Sequence, residues 1–320
     1  MKKNIIKDTG LEVTELSFGT SSLGSMPDTY GYEVPDQRAQ ETLKRFFQGP
    51  VNLLDTSRNY AMGESEKRIG IAIKENGGWP ENYVLSTKID RNMETLVLDK
   101  KRTRESIEES LKTLNVDSVD VLFLHDPEYV KDINDVTKKD GALDELFKIK
   151  EEGLAKAVGL AMGRIDIMFP ILRNWDFDVI INHNRYTLLN READEMYSYA
   201  HSKNISIFNA APYAGGVLAK GPSNFKKITY QDASEEKLAP AREIEKVCKK
   251  YNVEMGAAAL QFSMKDKRIT STICGVTSVQ SIEKNLAWAK IDIPEEFWNE
   301  VLKLPFSTKD PESERVYTAG

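Results

Sequence analysis

Eight short runs rich in Val, Ile, Leu and Phe recur along the chain. Each is followed by a longer stretch with apolar residues at helical spacing, and this alternation constrains the fold more than any other feature. The runs lie near residues 16–20 (LSFGT), 51–55 (VNLLD), 83–88 (YVLSTK), 119–124 (VDVLFL), 155–160 (AKAVGL), 178–182 (DVIIN), 205–210 (ISIFNA) and 270–274 (TSTIC). A strand-then-helix rhythm builds parallel strands joined by crossovers, and eight such units can close on themselves. The expected fold is therefore α/β, a (β/α)8 barrel of the TIM type, with residues 1–320 forming one domain.

Helices are expected at 37–47, 64–74, 103–115, 142–152, 166–172, 191–201, 235–251 and 279–289. In TRESIEESLKTLN, Thr103 and Ser106 sit beside first-turn acids while Ile107, Leu111 and Leu114 form one stripe, so that helix is expected to start at Thr103. Asp8-Thr9-Gly10 separates two alternating pieces and predicts a hairpin over 4–15 that closes the barrel bottom. The Gly-rich connection from Pro212 to Ala233 is long enough to be a functional lid or clamp. The extension over 293–320 is expected to pack across the mouth.

The bulk numbers narrow the partners. The 320 residues carry a net charge of −6 from interspersed acids and bases, with no basic stripe for nucleic acid and no polybasic segment for a membrane surface. A small-molecule substrate is the expectation. The start, MKKNIIKDT, is too polar for a secretory leader, and no apolar run approaches membrane-spanning length. Cys248 and Cys274 lack zinc-ligand spacing and read as reduced thiols of a cytoplasmic protein. The three histidines, at 125, 183 and 201, supply no metal-binding pair. Oligomeric state leaves no visible pattern.

Four polar residues stand at or just beyond three successive run ends: Asp55 and Tyr60 in VNLLDTSRNY, Lys88 in YVLSTKID and His125 in VDVLFLHDPE. Each has an ordinary reading alone, as a cap, a half-buried phenol, a surface charge or a satisfied imidazole. Parallel barrels place function at strand C-termini, so all four would meet at one mouth. Reduction of a carbonyl by hydride needs a proton donor at the nascent alkoxide, and Tyr60 can serve if Lys88 lowers its pKa from about 10. Asp55 would hold Lys88 protonated, and His125 would orient the carbonyl oxygen.

These segments resemble the aldo-keto reductase superfamily: DTSRNYAMGESEKRIG is similar to its tyrosine segment, LSTKID to its lysine strand and LFLHDPE to its histidine strand. The resemblance implies Tyr60 as acid/base, Lys88 and Asp55 as its tuning pair, His125 as orienter, and a nicotinamide cofactor bound extended. His125-Asp126-Pro127 and Asn184 to Leu189 look like the branch of L-fucose, galactose and D-threo-aldose 1-dehydrogenases, which implies oxidation of a cyclic sugar at C1 or the reverse aldehyde reduction. General aldehyde or ketone reduction and pyridoxal oxidation are alternatives within the family. Outside it stand a Schiff-base aldolase using Lys88 and a cofactor-sensing binding protein.

No GxGxxG occurs, so the barrel itself must hold NAD or NADP. Gly275-Val276-Thr277-Ser278 opens a helix and would present backbone N–H groups to the adenosine phosphates. The resemblance places Thr277, Ser281 and Asn285 around the adenosine and Gly19, Thr20 and Ser21 along the pyrophosphate. Neither Thr277 nor Ser281 is basic, and a 2′-phosphate wants Arg or Lys, so NAD is favoured over NADP. Where relatives hold the nicotinamide carboxamide with Ser-Asn and Gln, this chain has Ala161-Met162 and His183, and the usual stacking aromatic aligns near Ala211, with Tyr213 two positions on. Tyr30, Tyr32, Trp175 and Tyr213 are the candidate substrate-pocket aromatics.

Overall fold

The computed structural model describes residues 1–315. The chain opens with an antiparallel hairpin, β1 (Lys3–Ile5) and β2 (Glu12–Thr14), turning through Gly10 at φ +75°. Then come β3 (Leu16–Gly19), β4 (Leu53–Asp55), β5 (Val84–Ile89), β6 (Val119–His125), β7 (Ala155–Met162), β8 (Val179–His183) and β9 (Ser206–Ala210). A two-strand ribbon, β10 (Lys227–Ile228) and β11 (Gln231–Asp232), precedes β12 (Ser271–Gly275). Strands β3 to β9 pair in sequence order, and β12 closes the ring between β9 and β3, all in parallel. This is the (β/α)8 barrel that the alternation predicts.

Side chains along each strand divide between two cores with a period of two. Leu53, Val84, Val121, Phe123, Val179, Ile181, Phe208 and Ile273 fill the interior, and Ile6 and Val13 of the hairpin join them from below, so the hairpin seals the bottom as expected. Leu54, Leu85, Leu122, Val158, Ile180 and Ile207 point outward into the helix layer. Phe123 sits in register with Gly159, where an added Cβ would lie 2.6 Å from its ring. That glycine is the space the phenylalanine fills.

Parity then fixes the site. On β5 the inward positions are Val84, Ser86 and Lys88; on β6 they are Val121, Phe123 and His125; on β4 they are Leu53 and Asp55. The last inward residue of each strand faces the open end.

Two helix expectations need correcting. The helix expected at Thr103 spans Lys100–Leu114, because Asp99 one turn earlier caps it by accepting from Arg102 N–H at 2.8 Å. Thr103 and Ser106 instead face inward and are fully buried. A helix at Met255–Met264 follows the expected 235–251 helix and was not expected at all. Its residues from Gly256 to Leu260 are all buried, so no polar face marks its period. The 212–233 connection carries short turns at Ala214–Gly216 and Val217–Lys220 besides β10 and β11.

The C-terminal extension forms a helix, Glu295–Val301, then bridges Asn190 through Ser307 and docks Asp310 and Glu312 on Arg185. Its helix packs on the outer helix Glu235–Lys250, where Lys250 and Tyr251 bond Glu300, and only the following stretch reaches the mouth, where Arg315 lines the cavity; residues 316–320 of the expected segment lie outside the described residues. Among the described residues no helix is long and apolar enough to cross a membrane.

Candidate active site

The open end of the barrel holds a cavity of about 290 Å³ whose lining includes Asp55, Tyr60, Lys88 and His125. Lys88 is 2% exposed and donates to Asp55 Oδ2 at 2.7 Å and to the Thr56 carbonyl at 2.6 Å. Ser86, two residues earlier on the same inward face, donates to Asp55 Oδ1 at 2.9 Å. A buried ammonium and carboxylate are tolerable only with such satisfied geometry. The Lys88 ammonium also stands 4.7 Å from the centre of the Tyr60 ring.

Tyr60 is held by a tight turn in which Ala61 and Met62 both adopt left-handed φ, +50° and +53°. Two consecutive non-glycine residues in that region store strain of roughly 1–3 kcal/mol each, and such strain persists only where surrounding contacts over-determine it. Here Gly24 supplies the room, since a Cβ on it would lie 2.8 Å from the Ala61 Cβ.

The Tyr60 ring meets His125 edge-on at 5.8 Å. Burial pushes the Tyr60 phenol well above its usual 10, and the Asp55 carboxylate adds to the rise. The expected lowering by Lys88 does not prevail, because the ammonium is paired with Asp55 and desolvation dominates.

His125 belongs to a carboxylate pair that sequence reading missed. Its Nδ1 lies 2.6 Å from Asp90 Oδ1, while Asp90 Oδ2 accepts from Ser57 Oγ at 2.6 Å and from the Asn59 N–H at 2.8 Å. On the other ring nitrogen, Asp126 Oδ2 stands 3.6 Å from Nε2. Burial alone would lower the imidazolium pKa, but Asp126 and Asp90 outweigh it and hold it above the usual value of 6.5. Asp90 itself sits below the usual carboxylate range: burial works against ionisation, and His125, Ser57 and the Asn59 amide overcome it. The available clue was parity, since Asp90 follows Lys88 by two residues.

The other expected residues divide. Gly19, Ser21, Ala161, His183, Ala211, Tyr213 and Gly275 line the cavity, as does Met162. Gly19 and Gly275 are in register on β3 and β12, and a Cβ on Gly275 would meet only Ser22 Oγ at 3.7 Å. Neither position puts a side chain into the cavity it lines. Tyr213 packs on Trp288 and donates to Asn285 Oδ1 at 2.5 Å.

Thr20 is buried and donates to the Asp55 carbonyl at 2.9 Å, and Val276 is core. Thr277, Ser281 and Asn285 lie outside the cavity lining. The N–H groups expected to face phosphate are engaged: Thr277 and Ser278 donate to Ser281 Oγ, both at 3.0 Å, and Val276 donates to the Gly19 carbonyl at 3.1 Å. A capping box therefore occupies the helix start that the sequence suggests for the adenosine phosphates.

Tyr30 and Tyr32 line the cavity as expected, whereas Trp175 stacks on Phe147 at 5.6 Å in the outer layer. Tyr230 and Arg315 were not expected and also line it, from the long connection and the C-terminal extension. His183 faces the cavity with Nδ1 3.2 Å from Glu312, and His201 is exposed on its helix. Among the described residues no cluster of His, Cys, Asp or Glu has the form of a metal site.

Residues 15–304 match the profile of the aldo/keto reductase family. The chain belongs to that family. It is 31% identical over 292 residues to L-galactose dehydrogenase of Arabidopsis thaliana, covering 88% of this chain and 85% of that one. D-threo-aldose 1-dehydrogenase of a Pseudomonas species is 27% identical, with 91% and 94% covered. The fold superposes on an aldo-keto reductase from Bacillus halodurans in its holo form with a TM-score of 0.80, at 21% identity, covering 99% of this chain and all of that one. As an aldo/keto reductase, the protein is an NAD(P)-dependent oxidoreductase acting on carbonyl or alcohol groups.

Proposed function

We propose that this aldo/keto reductase acts as an aldose 1-dehydrogenase, with Tyr60, Lys88, Asp55 and His125 as its working residues. The observation that carries the reading is the convergence of the four in one cavity, with Lys88 locked to Asp55 and the Tyr60 and His125 rings in contact. A bound nicotinamide supplies or accepts the hydride. Tyr60 gives its proton to the oxygen in reduction and takes the hydroxyl proton in oxidation. His125 orients that oxygen from the opposite side, and Tyr30, Tyr32 and Tyr230 wall the cavity against water.

The bare positions Gly19 and Gly275, with Ser21, Ala211 and Tyr213, suit the nicotinamide and adjoining phosphates. Ala161 and Met162 offer no side-chain amide there, which leaves His183 as the polar group facing that end. Thr20 supports this stretch through Asp55, and Thr277, Ser281 and Asn285 mark the adenosine end. There Arg45 is tied to Glu283 at 2.5 Å and Lys284 lies over the Trp288 ring at 4.5 Å, so neither cation is poised for a 2′-phosphate. NAD is the preferred nucleotide on this reading, and the cytoplasm the compartment.

The Schiff-base alternative needs an uncharged Lys88, which its contacts with Asp55 and the Thr56 carbonyl oppose.

A cofactor-reduction screen over aldoses, pyridoxal and simple aldehydes with both nucleotides tests substrate class and nucleotide preference together. Tyr60→Phe is expected to bind nucleotide normally and lose at least about 100-fold in kcat; a near-normal rate would remove Tyr60 from the proton step. NAD is expected to be used at least as well as NADP, and a large kcat/KM advantage for NADP would overturn the nucleotide assignment.

A further inference from the structure

The position after β5 carries a carboxylate whose surroundings are built rather than incidental. Asp90 is 1% exposed, and both its oxygens are engaged by groups from two other strand ends: His125 Nδ1 at 2.6 Å on one, Ser57 Oγ at 2.6 Å and the Asn59 N–H at 2.8 Å on the other. Its backbone is pinned as well, with its N–H donating to Ser106 Oγ at 3.0 Å and its carbonyl accepting from Arg102 Nε at 3.0 Å. A carboxylate that is itself so fixed determines which ring nitrogen carries the proton. Nδ1–H must point at Asp90, so a neutral His125 presents a lone pair, not a proton, at Nε2.

That has a chemical consequence for the reaction proposed above, on which this step rests. An imidazole that donates to Asp90 can also donate to a substrate oxygen only when it carries both protons. We infer that Asp90 is a positioning residue that holds His125 as a doubly protonated ring, with Nδ1–H on Asp90 and Nε2–H directed at the substrate oxygen.

The charges around the ring favour this arrangement. Asp90 from the end of β5 and Asp126 from the end of β6 flank the two nitrogens, and Ser57 Oγ lies 3.1 Å from Nδ1. Lys88 opposes the second proton, but its charge is taken up by Asp55 at 2.7 Å. Tyr60 meets the ring edge-on, and from β7 the register partner is Ala161, which brings no charge. Tyr60 and His125 therefore have divided duties, one moving a proton and the other presenting a cation to the developing alkoxide.

The inference is tested first without substrate. The chain has only three histidines, so long-range 1H–15N spectra of the full-length protein, assigned with His183→Gln and His201→Gln, resolve the protonation of His125 directly. Wild type is expected to show a ring protonated at both nitrogens at neutral pH. Asp90→Asn is expected to move its titration down by at least about one pH unit, and Ser57→Ala, which keeps the carboxylate, by less. In carbonyl reduction the alkaline fall in kcat/KM should move down with it while the Kd for nucleotide stays fixed.

An unchanged His125 titration in Asp90→Asn overturns the inference. If Asp90→Asn does not fold, a Ser57→Ala protein whose His125 ring is singly protonated at neutral pH and titrates as in wild type overturns it equally. A titration that moves while the pH profile of kcat/KM does not also overturns it, by removing His125 from the substrate oxygen. Absence of turnover with every carbonyl tried, with the NMR shift intact, overturns instead the reaction assigned above.

Discussion

Asp55 and Lys88 form a buried pair in which each ion is the other's main solvation, and the two are 4% and 2% exposed. Removing one partner strands the other, so Asp55→Ala is expected to lower stability by about 3–5 kcal/mol. Chemical denaturation of Asp55→Ala, Lys88→Met and the double variant checks this, and the double should lose less than the sum of the singles. The buried phenol of Tyr60 makes a second prediction. Because burial holds it above 10, phenolate is scarce at neutral pH, and oxidation of the alcohol should speed up as pH rises across 8–10. A pH–rate profile that is flat over that range would contradict proton transfer to Tyr60.

The gathering of the four residues in one cavity was legible because Asp55, Lys88 and His125 stand at the ends of apolar runs and Tyr60 follows the first of them, and strand ends in a parallel barrel share one face. Asp90 was not, because its role depends on His125 and Ser57 brought in from other strands, 35 and 33 residues away. Contacts of that kind leave no local pattern beyond the parity of Asp90 with Lys88.

The helix Glu64–Glu75 lies against the outside of β5 and buries Glu66 completely, with Thr87 donating to its Oε1 at 2.6 Å. Burial raises this carboxyl to about 7, against an unfolded value near 4.5. Here the sign follows from the proton count. Between those two values the folded chain binds the extra proton, so stability falls as pH rises from 4.5 towards 7. Glu66→Gln is expected to flatten that fall and to be more stable than wild type at pH 8, as thermal melts across the range would reveal.

The C-terminal extension behaves oppositely. Burial works against ionisation of Glu312, but His183, Arg185 and Arg315 together hold its carboxyl far below the usual range, so docking holds at neutral pH and weakens only in strong acid. Of the elements, the amphipathic helices and the strands could be read from periodicity, whereas the mostly buried Met255–Met264 could not, since it has no exposed polar face to mark the period.

At the scale of the molecule, the barrel's closure and the hairpin beneath it were legible from order alone: eight alternating units and one Gly-marked turn. The expected cofactor contacts were less so. Positions such as Thr277 and Ser281 were assigned by likeness, and the structure uses them to cap a helix. A cap bonded to itself and a cap bonded to phosphate are written with the same residues, so the sequence cannot separate them.

The placement of groups along the chain has one more consequence. Asp55, Tyr60, Lys88, Asp90, His125 and Asp126 all fall within 72 consecutive residues spanning β4 to β6, whereas His183, Tyr213, Lys220, Phe225, Tyr230 and Arg315 enter the cavity from later segments. Tyr30 and Tyr32 enter from before β4, so the cavity wall lies on both sides of the stretch that carries the proposed proton-handling groups. Such a chain can change its clientele by exchange of the loops on either side of that block, through recombination or loop replacement, while the block itself is inherited whole.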